Sequence, residues 1–101
     1  MLSQELRETL IDALGVGWKG KGRTPWRNRT ACNTRNAETF GAHDFLARPG
    51  LIVRDPAQDY GRMLVYRVTD KGALAVTGKK LPKKLAALIP QAEPEAQALA
   101  A

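Results

Sequence analysis

The chain has 101 residues, of which 16 are Lys or Arg and 10 are Asp or Glu, so its formal net charge is +6. This length provides for one hydrophobic core, and the absence of any run of about 18 apolar residues argues against a membrane-spanning helix. A single cysteine, Cys32, excludes an internal disulfide and a cysteine-rich metal site. The N-terminal segment lacks the features of a signal peptide, so we expect a cytoplasmic protein.

Residues 3–14 are predicted to form the first helix. Ser3 is a suitable N-cap, and Gly15 is a suitable C-terminal stop. Between them, leucines recur at four-residue spacing on one helical face, at Leu6, Leu10 and Leu14. We expect this face to pack into the core.

The stretch GWKGKGRTPWRNRT, residues 17–30, contains five of the 16 basic residues, both tryptophans and no acidic residue. Its glycines disfavour a regular helix or strand, which predicts an arm or a loop. As an arm, it would hold cations, indole rings and an amide against a polyanion, at Lys19, Lys21, Arg23, Trp26, Arg27, Asn28 and Arg29. As a loop, it would use Trp18 and Trp26 to anchor itself on the first helix while its cations stay in solvent.

A second helical segment is predicted from about residue 34 to residue 48, ending before Pro49 and Gly50. Its buried side is expected to consist of Ala37, Phe40, Phe45 and Leu46. Arg35, at its start, is a candidate contact residue.

The apolar runs at 51–54 and 63–68 predict an antiparallel hairpin, because turn-forming residues lie between them. Leu64, Tyr66 and Val68 share one face of the second strand, which we expect to join the core of the first helix. The tip, residues 55–62, is predicted to be exposed, with Tyr60 and Arg62 available to a partner.

After the hairpin, Thr69 is expected to cap a further helix that continues to Val76. A last helix begins at Leu81-Pro82, where a second basic block consists of Lys79, Lys80, Lys83 and Lys84. Residues 1–89 are therefore predicted to form a single domain, and residues 90–101, rich in Ala, Glu and Pro, a flexible tail.

Three segments carry a resemblance to known proteins. YRVTDKGAL, residues 66–74, resembles the end of the second wing strand of winged-helix proteins, and GLIVR, residues 50–54, resembles the preceding wing strand. Together with WRNR, residues 26–29, the pattern is similar to that of small phage- and prophage-encoded proteins. The resemblance covers roughly residues 24–76 and implies an α+β, winged-helix-like domain with an N-terminal helix, a wing and a basic glycine-rich arm.

One departure from a winged helix affects the expected function. A recognition helix is basic on the surface that enters the DNA groove. The segment 34–48 instead carries Glu38 and Asp44 between its terminal arginines. The positive charge lies in the glycine-rich arm, so we expect the arm to contact the nucleic-acid backbone.

Catalysis and metal binding are not indicated. Cys32 and His43 are the obvious nucleophile and base, but no third orienting group accompanies them. The carboxylates are scattered, and soft metal ligands are too few. We therefore expect a protein that is not an enzyme and has no cofactor.

Two functions fit these features. The first is a small phage protein that binds nucleic acid, DNA rather than RNA, through the arm and the wing. The second is a phage-encoded protein inhibitor, such as an anti-CRISPR protein, whose basic surface meets an acidic surface of a host defence nucleoprotein complex.

Overall fold

The computed structural model of the chain describes residues 2–17 and 24–90. The predicted contacts by Lys19, Lys21 and Arg23, the role of Trp18 and most of the predicted tail lie outside these residues. The described part is a small compact α+β domain with this element order: α1 (Gln4–Leu14), β1 (Thr30–Asn33), α2 (Ala37–Ala47), β2 (Ile52–Arg54), a 3₁₀ turn (Pro56–Gln58), β3 (Met63–Val68), α3 (Asp70–Thr77) and α4 (Lys83–Ala86).

The first helix agrees with the prediction at both ends. The Ser3 hydroxyl accepts a hydrogen bond from the Leu6 backbone N–H at 3.2 Å. Gly15 ends the helix in the left-handed conformation at φ 72°, which is costly for any residue with a Cβ. Leu10 and Leu14 are fully buried.

The three strands form an antiparallel sheet in which β3 lies between β1 and β2. The predicted hairpin is confirmed, with Ile52 opposite Val68 and Arg54 opposite Tyr66. Strand β1 was not predicted. Its short sequence, TACN, carries no alternating pattern, and it forms because Thr30–Asn33 pairs with Met63–Tyr66, distant in sequence.

The core lies between α1 and the sheet. Leu10 and Leu14 belong to one buried cluster with Tyr66 and Val68, and Leu64 packs against that cluster while remaining partly exposed. The predicted shared core of the helix and the strand face is therefore confirmed.

The predicted buried side of α2 is correct for Leu46 and wrong for its other three residues. Ala37 is exposed, Phe40 is 38 % exposed and Phe45 is 60 % exposed, whereas His43 and Leu46 are buried. Apolar residues occur on several sides of this helix, so their spacing could not select the inward face. Packing of α2 against β1 and β2 selects it.

His43 is accommodated as a buried polar residue. One ring nitrogen, Nδ1, lies 2.9 Å from the Thr39 carbonyl oxygen, and the other, Nε2, lies 2.9 Å from the Thr30 hydroxyl. The ring centroid is 5.2 Å from that of Tyr66. Both polar atoms are thus paired inside the fold, as buried polar groups require.

The predicted exposed tip at 55–62 holds for Tyr60 and Arg62 but not for its two aspartates. Asp55 is buried and its backbone N–H donates to the Val65 carbonyl oxygen at 2.8 Å. Asp59 accepts a bond from the Val65 backbone N–H at 2.8 Å and pairs with Arg54. The segment is therefore attached to β3 by its acidic residues.

The helix after the hairpin is confirmed as α3, because Thr69 is its N-cap and accepts from the Gly72 backbone N–H at 3.2 Å. The last predicted helix begins at Lys83 rather than at Leu81, and both Leu81 before it and Leu85 within it are buried. Among residues 2–17 and 24–90, no helix has the length and apolar character needed to cross a membrane.

Candidate nucleic-acid interface

The segment 26–29 closes the C-terminal end of α1. The last carbonyl groups of a helix have no partner within the helix. Here the backbone N–H groups of Trp26 and Arg27 both donate to the Leu14 carbonyl oxygen at 3.2 Å, and that of Arg29 donates to the Ala13 carbonyl oxygen at 3.1 Å.

Two side chains complete this arrangement. The indole Nε1–H of Trp26 donates to the Gly15 carbonyl oxygen, and the Arg27 guanidinium donates to the Asp12 carbonyl oxygen, from Nε at 2.8 Å. A cation at the negative end of a helix dipole is stabilising. Part of the basic stretch is therefore structural, and Arg27 has a role in the fold as well as an exposed charge.

Trp26 does not fill the core. Its side chain is anchored through Nε1 to the end of α1, but 68 % of the residue is exposed. The structure thus combines features of both sequence interpretations, since the ring is attached to the first helix and is also open to solvent.

Asn28 occupies a different position from the one expected. It is 2 % exposed, its amide N–H donates to the Val68 carbonyl oxygen at 2.9 Å, and its side-chain oxygen accepts from the Val68 backbone N–H. The amide therefore extends the sheet pairing beyond the end of β1. Because both polar atoms of the Asn28 side chain bond to the Val68 backbone, the predicted contact between this amide and a polyanion does not fit this structure.

A buried ion pair lies next to the segment 26–29 and is bonded to its backbone. Arg67 Nε lies 2.8 Å from Asp55 Oδ2, and a second guanidinium nitrogen of Arg67 donates to the Asn28 carbonyl oxygen at 2.6 Å. Arg67 thereby connects the segment 26–29 to the hairpin. Its charge is neutralised inside the protein.

The exposed side chains of this region lie along an open groove of about 440 Å³. One side is the chain from Trp26 to Ala31, and the other is contributed by Leu85 and Leu88 at the C-terminal end of the fold. Arg67 also lines it, and none of its described lining residues is acidic. The cations that line the groove are Arg27, Arg29 and Arg67, whereas Lys83 and Lys84 precede Leu85 in α4 without lining it.

Two exposed aromatic rings, Trp26 in the groove and Tyr60 next to the groove residue Arg29, are each accompanied by an arginine. The guanidinium carbon of Arg27 lies 5.6 Å from the centroid of the Trp26 ring, and that of Arg29 lies 5.4 Å from the centroid of the Tyr60 ring. Tyr60 is 51 % exposed. Arg27 and Arg29 are both exposed and flank the buried Asn28.

The remaining predicted contact residues are exposed but are not all brought to the groove. Lys83 and Lys84 belong to α4, beside Leu85, and Lys79 and Lys80 precede that helix. Arg62 lies in the turn between Tyr60 and Met63, and Arg35 lines a separate cavity near the start of α2. Sequence reasoning did not identify Leu85 and Leu88 as groove residues, because their proximity to residues 26–31 exists only in the folded chain.

Cys32 is a free cysteine that is buried in β1. Desolvation by burial raises the pKa of its thiol above the ordinary value of 9.0, and nearby Arg54 offsets this only in part. Burial likewise raises the pKa of Tyr66, and the neighbouring thiol adds to this effect. A thiol with a raised pKa is a poor nucleophile at neutral pH. Within residues 2–17 and 24–90 no cluster of potential metal ligands is found.

A second surface feature is an apolar groove on another part of the domain, with a volume of about 700 Å³. It is lined by residues from the N-terminus, from the C-terminal end of α2, from the connection between α2 and β2, and from α3: Leu2, Phe45, Arg48, Pro49, Leu51, Lys71 and Ala75. The exposed Phe45 ring lies in it. Its two cations have local partners, since Arg48 pairs with Asp44 and Lys71 donates to the Pro49 carbonyl oxygen.

Comparisons with protein-family models, with curated proteins and with solved structures found no match to this chain. The interpretation of these surfaces therefore depends on their own geometry and charge.

Proposed function

We propose that this protein binds nucleic acid through the groove between residues 26–31 and α4. The observation that supports this most strongly is that three arginines, Arg27, Arg29 and Arg67, line one groove without a described acidic lining residue. The lysines Lys83 and Lys84 lie next to the groove residue Leu85 in sequence. Surfaces that bind a phosphate backbone concentrate cations and exclude carboxylates in this way.

The position of the acidic residues supports the groove rather than α2 as the contact surface. Glu38 is exposed on α2, and Asp44 on the same helix pairs with Arg48. A helix with this charge pattern would repel phosphates. We therefore propose a winged-helix variant, supported by the hairpin and by the Thr69 cap, in which the backbone contact has moved from the second helix to the segment 26–29.

A salt titration tests this proposal. Affinity for a short duplex and for a single strand is measured by fluorescence anisotropy between about 50 and 200 mM salt, the range over which phosphate-dependent binding falls steeply. The double variant Arg29→Ala/Lys84→Ala removes two exposed cations that have no hydrogen bond in the described structure. If each contacts one phosphate, the slope of log affinity against log salt should flatten by roughly 1.4–1.8.

The matched control is Arg48→Ala/Lys71→Ala, which removes the same charge from the apolar groove. It should leave the slope unchanged if binding is local, and should reproduce the effect if only net charge matters. Wild-type protein that binds neither oligonucleotide in a salt-dependent manner would refute the proposed function.

A second candidate function is inhibition of a host protein complex by direct contact, as in an anti-CRISPR protein. It is favoured by the apolar groove around Phe45, because an exposed aromatic ring in a concave apolar surface is typical of protein contact sites. A pull-down from host lysate distinguishes the two. Capture that survives nuclease treatment and is lost in Phe45→Ala would support the inhibitor, whereas nuclease-sensitive capture unaffected by Phe45→Ala would support nucleic-acid binding.

A further inference from the structure

We infer that the ligand of the groove at residues 26–31 is a single strand of nucleic acid whose bases stack on Trp26 and Tyr60; this inference rests on the proposed function. Phosphate contacts alone favour a duplex, because its charge density is higher. Exposed aromatic rings, in contrast, favour a single strand, because its unpaired bases can stack on the rings.

Trp26 and Tyr60 are each held in place by hydrogen bonds that do not involve the faces of their rings. Trp26 is fixed at one edge by its Nε1–H bond to Gly15 and through its backbone N–H to the Leu14 carbonyl oxygen at 3.2 Å. The backbone of Tyr60 exchanges two hydrogen bonds with Met63, at 3.2 and 2.7 Å. Each side chain is thus placed by a backbone anchor, while 68 % of Trp26 and 51 % of Tyr60 stay exposed to solvent.

The environment of Gly15 explains why the Trp26 ring is positioned rather than free. A Cβ atom added at Gly15 would overlap the indole ring, with Trp26 Cζ2 only 2.9 Å away. The ring therefore packs on the backbone at the end of α1. Ordering an exposed ring in advance reduces the entropy lost when a base binds to it.

Cations lie beside each ring at distances suited to a shared ligand. Arg27 and Arg29 approach the Trp26 and Tyr60 rings at 5.6 and 5.4 Å, and both guanidinium groups are exposed. In a single strand, each base is joined to a phosphate by one sugar, so a ring and a neighbouring cation can contact parts of the same nucleotide. Arg29 lines the groove and also meets Tyr60, which places the second ring at the groove margin.

The test compares an oligothymidylate single strand with a duplex of the same length in nucleotides, at fixed low salt. The single strand should bind more tightly than the duplex, opposite to the order expected from charge alone. Tyr60→Leu and Trp26→Leu should each weaken single-strand binding by about 5- to 150-fold, the equivalent of one lost base stack, with little effect on the duplex. Tyr60→Phe keeps the ring and should bind as the wild type does.

Fluorescence provides a second measurement. In a Trp18→Phe background the signal comes from Trp26 alone, and the single strand should quench it on binding. If Trp26→Leu fails to fold, the comparison of Tyr60→Leu with Tyr60→Phe still decides, because Tyr60 is 51 % exposed and its substitution is easily accommodated.

The outcomes separate the two proposals. Duplex binding equal to or tighter than single-strand binding, with no loss in Tyr60→Leu, would overturn the single-strand inference and leave the proposed function standing. Absence of salt-dependent binding to either oligonucleotide would overturn both.

Discussion

Two glycines inside helices, Gly72 in α3 and Gly41 in α2, should respond in opposite directions to the same substitution. Neither has a positive φ, so alanine is compatible with the backbone at both positions. In an open helical site, replacing Gly by Ala stabilises a protein by about 0.5–1 kcal/mol. Gly41 is such a site, since a Cβ there meets no atom within 4 Å.

Gly72 lies where α3 approaches the start of β2. A Cβ added there would collide with the Leu51 carbonyl oxygen and come within 2.7 Å of Val68 Cγ1. The Leu51 carbonyl cannot easily move, because it accepts from the Thr69 backbone N–H at 3.0 Å and from the Thr69 hydroxyl at 3.1 Å. Overpacking of this kind typically costs about 1–3 kcal/mol. Because the overlap is with a backbone atom, we take the upper part of this range, about 2–3 kcal/mol. After subtracting the helical gain of alanine, about 0.8–1 kcal/mol, we expect Gly72→Ala to lose about 1–2 kcal/mol.

Thermal and urea unfolding followed by circular dichroism would measure both effects. For a domain of this size, 1 kcal/mol corresponds to about 4–8 °C in Tm. Gly72→Ala should therefore lower Tm by about 4–16 °C, and Gly41→Ala should raise it by about 2–8 °C. Equal or higher stability in Gly72→Ala, with the expected gain in Gly41→Ala, would show that α3 does not pack as closely on Leu51 as described.

Three further variants test the buried polar groups. Asn28→Ala leaves the Val68 N–H and carbonyl groups unpaired and should lower the free energy of unfolding in urea by about 2–4 kcal/mol. The salt slope of nucleic-acid binding should stay unchanged. A flatter slope with normal stability would instead make Asn28 a contact residue. Asp55→Ala leaves Arg67 charged and buried and should lower the free energy of unfolding by about 3–5 kcal/mol. The control Asp44→Ala removes an exposed ion pair and should lower it by at most about 1 kcal/mol. Similar losses in both variants would contradict the buried pair. Because burial raises the pKa of Cys32 in the folded state, its contribution to stability is present below pH 9.0 and decreases as pH rises through the folded pKa. The unfolding free energy should therefore fall less steeply above that pH in Cys32→Ala than in the wild type, and parallel curves would refute this.

Local signals in the sequence correctly identified the elements whose ends depend on neighbouring residues. Ser3 and Gly15 mark the ends of α1, and Thr69 marks the start of α3, because each cap is formed by groups within a few residues of one another. The hairpin of β2 and β3 was predictable for a similar reason, since its turn residues and apolar runs are close in sequence.

The candidate site was predictable only as a concentration of charge. Composition identified Arg27 and Arg29 as exposed cations, and the structure places both at the groove margin. It could not show that Asn28, between them, turns inward to pair with Val68, forty residues away. Neither could it show that α4 lines the same groove, because that proximity is a property of the folded chain.

Tertiary structure also decided the inward face of α2, strand β1 and the role of the segment 26–29. Helix periodicity identifies a buried face only when apolar residues are confined to one side, and in α2 they are not, so the packing of His43 and Leu46 against the sheet determined it. Strand β1 and the cap on α1 depend on hydrogen bonds to groups far away in the sequence. Such partners have no local signature, because a backbone N–H or carbonyl group is the same in every residue except proline.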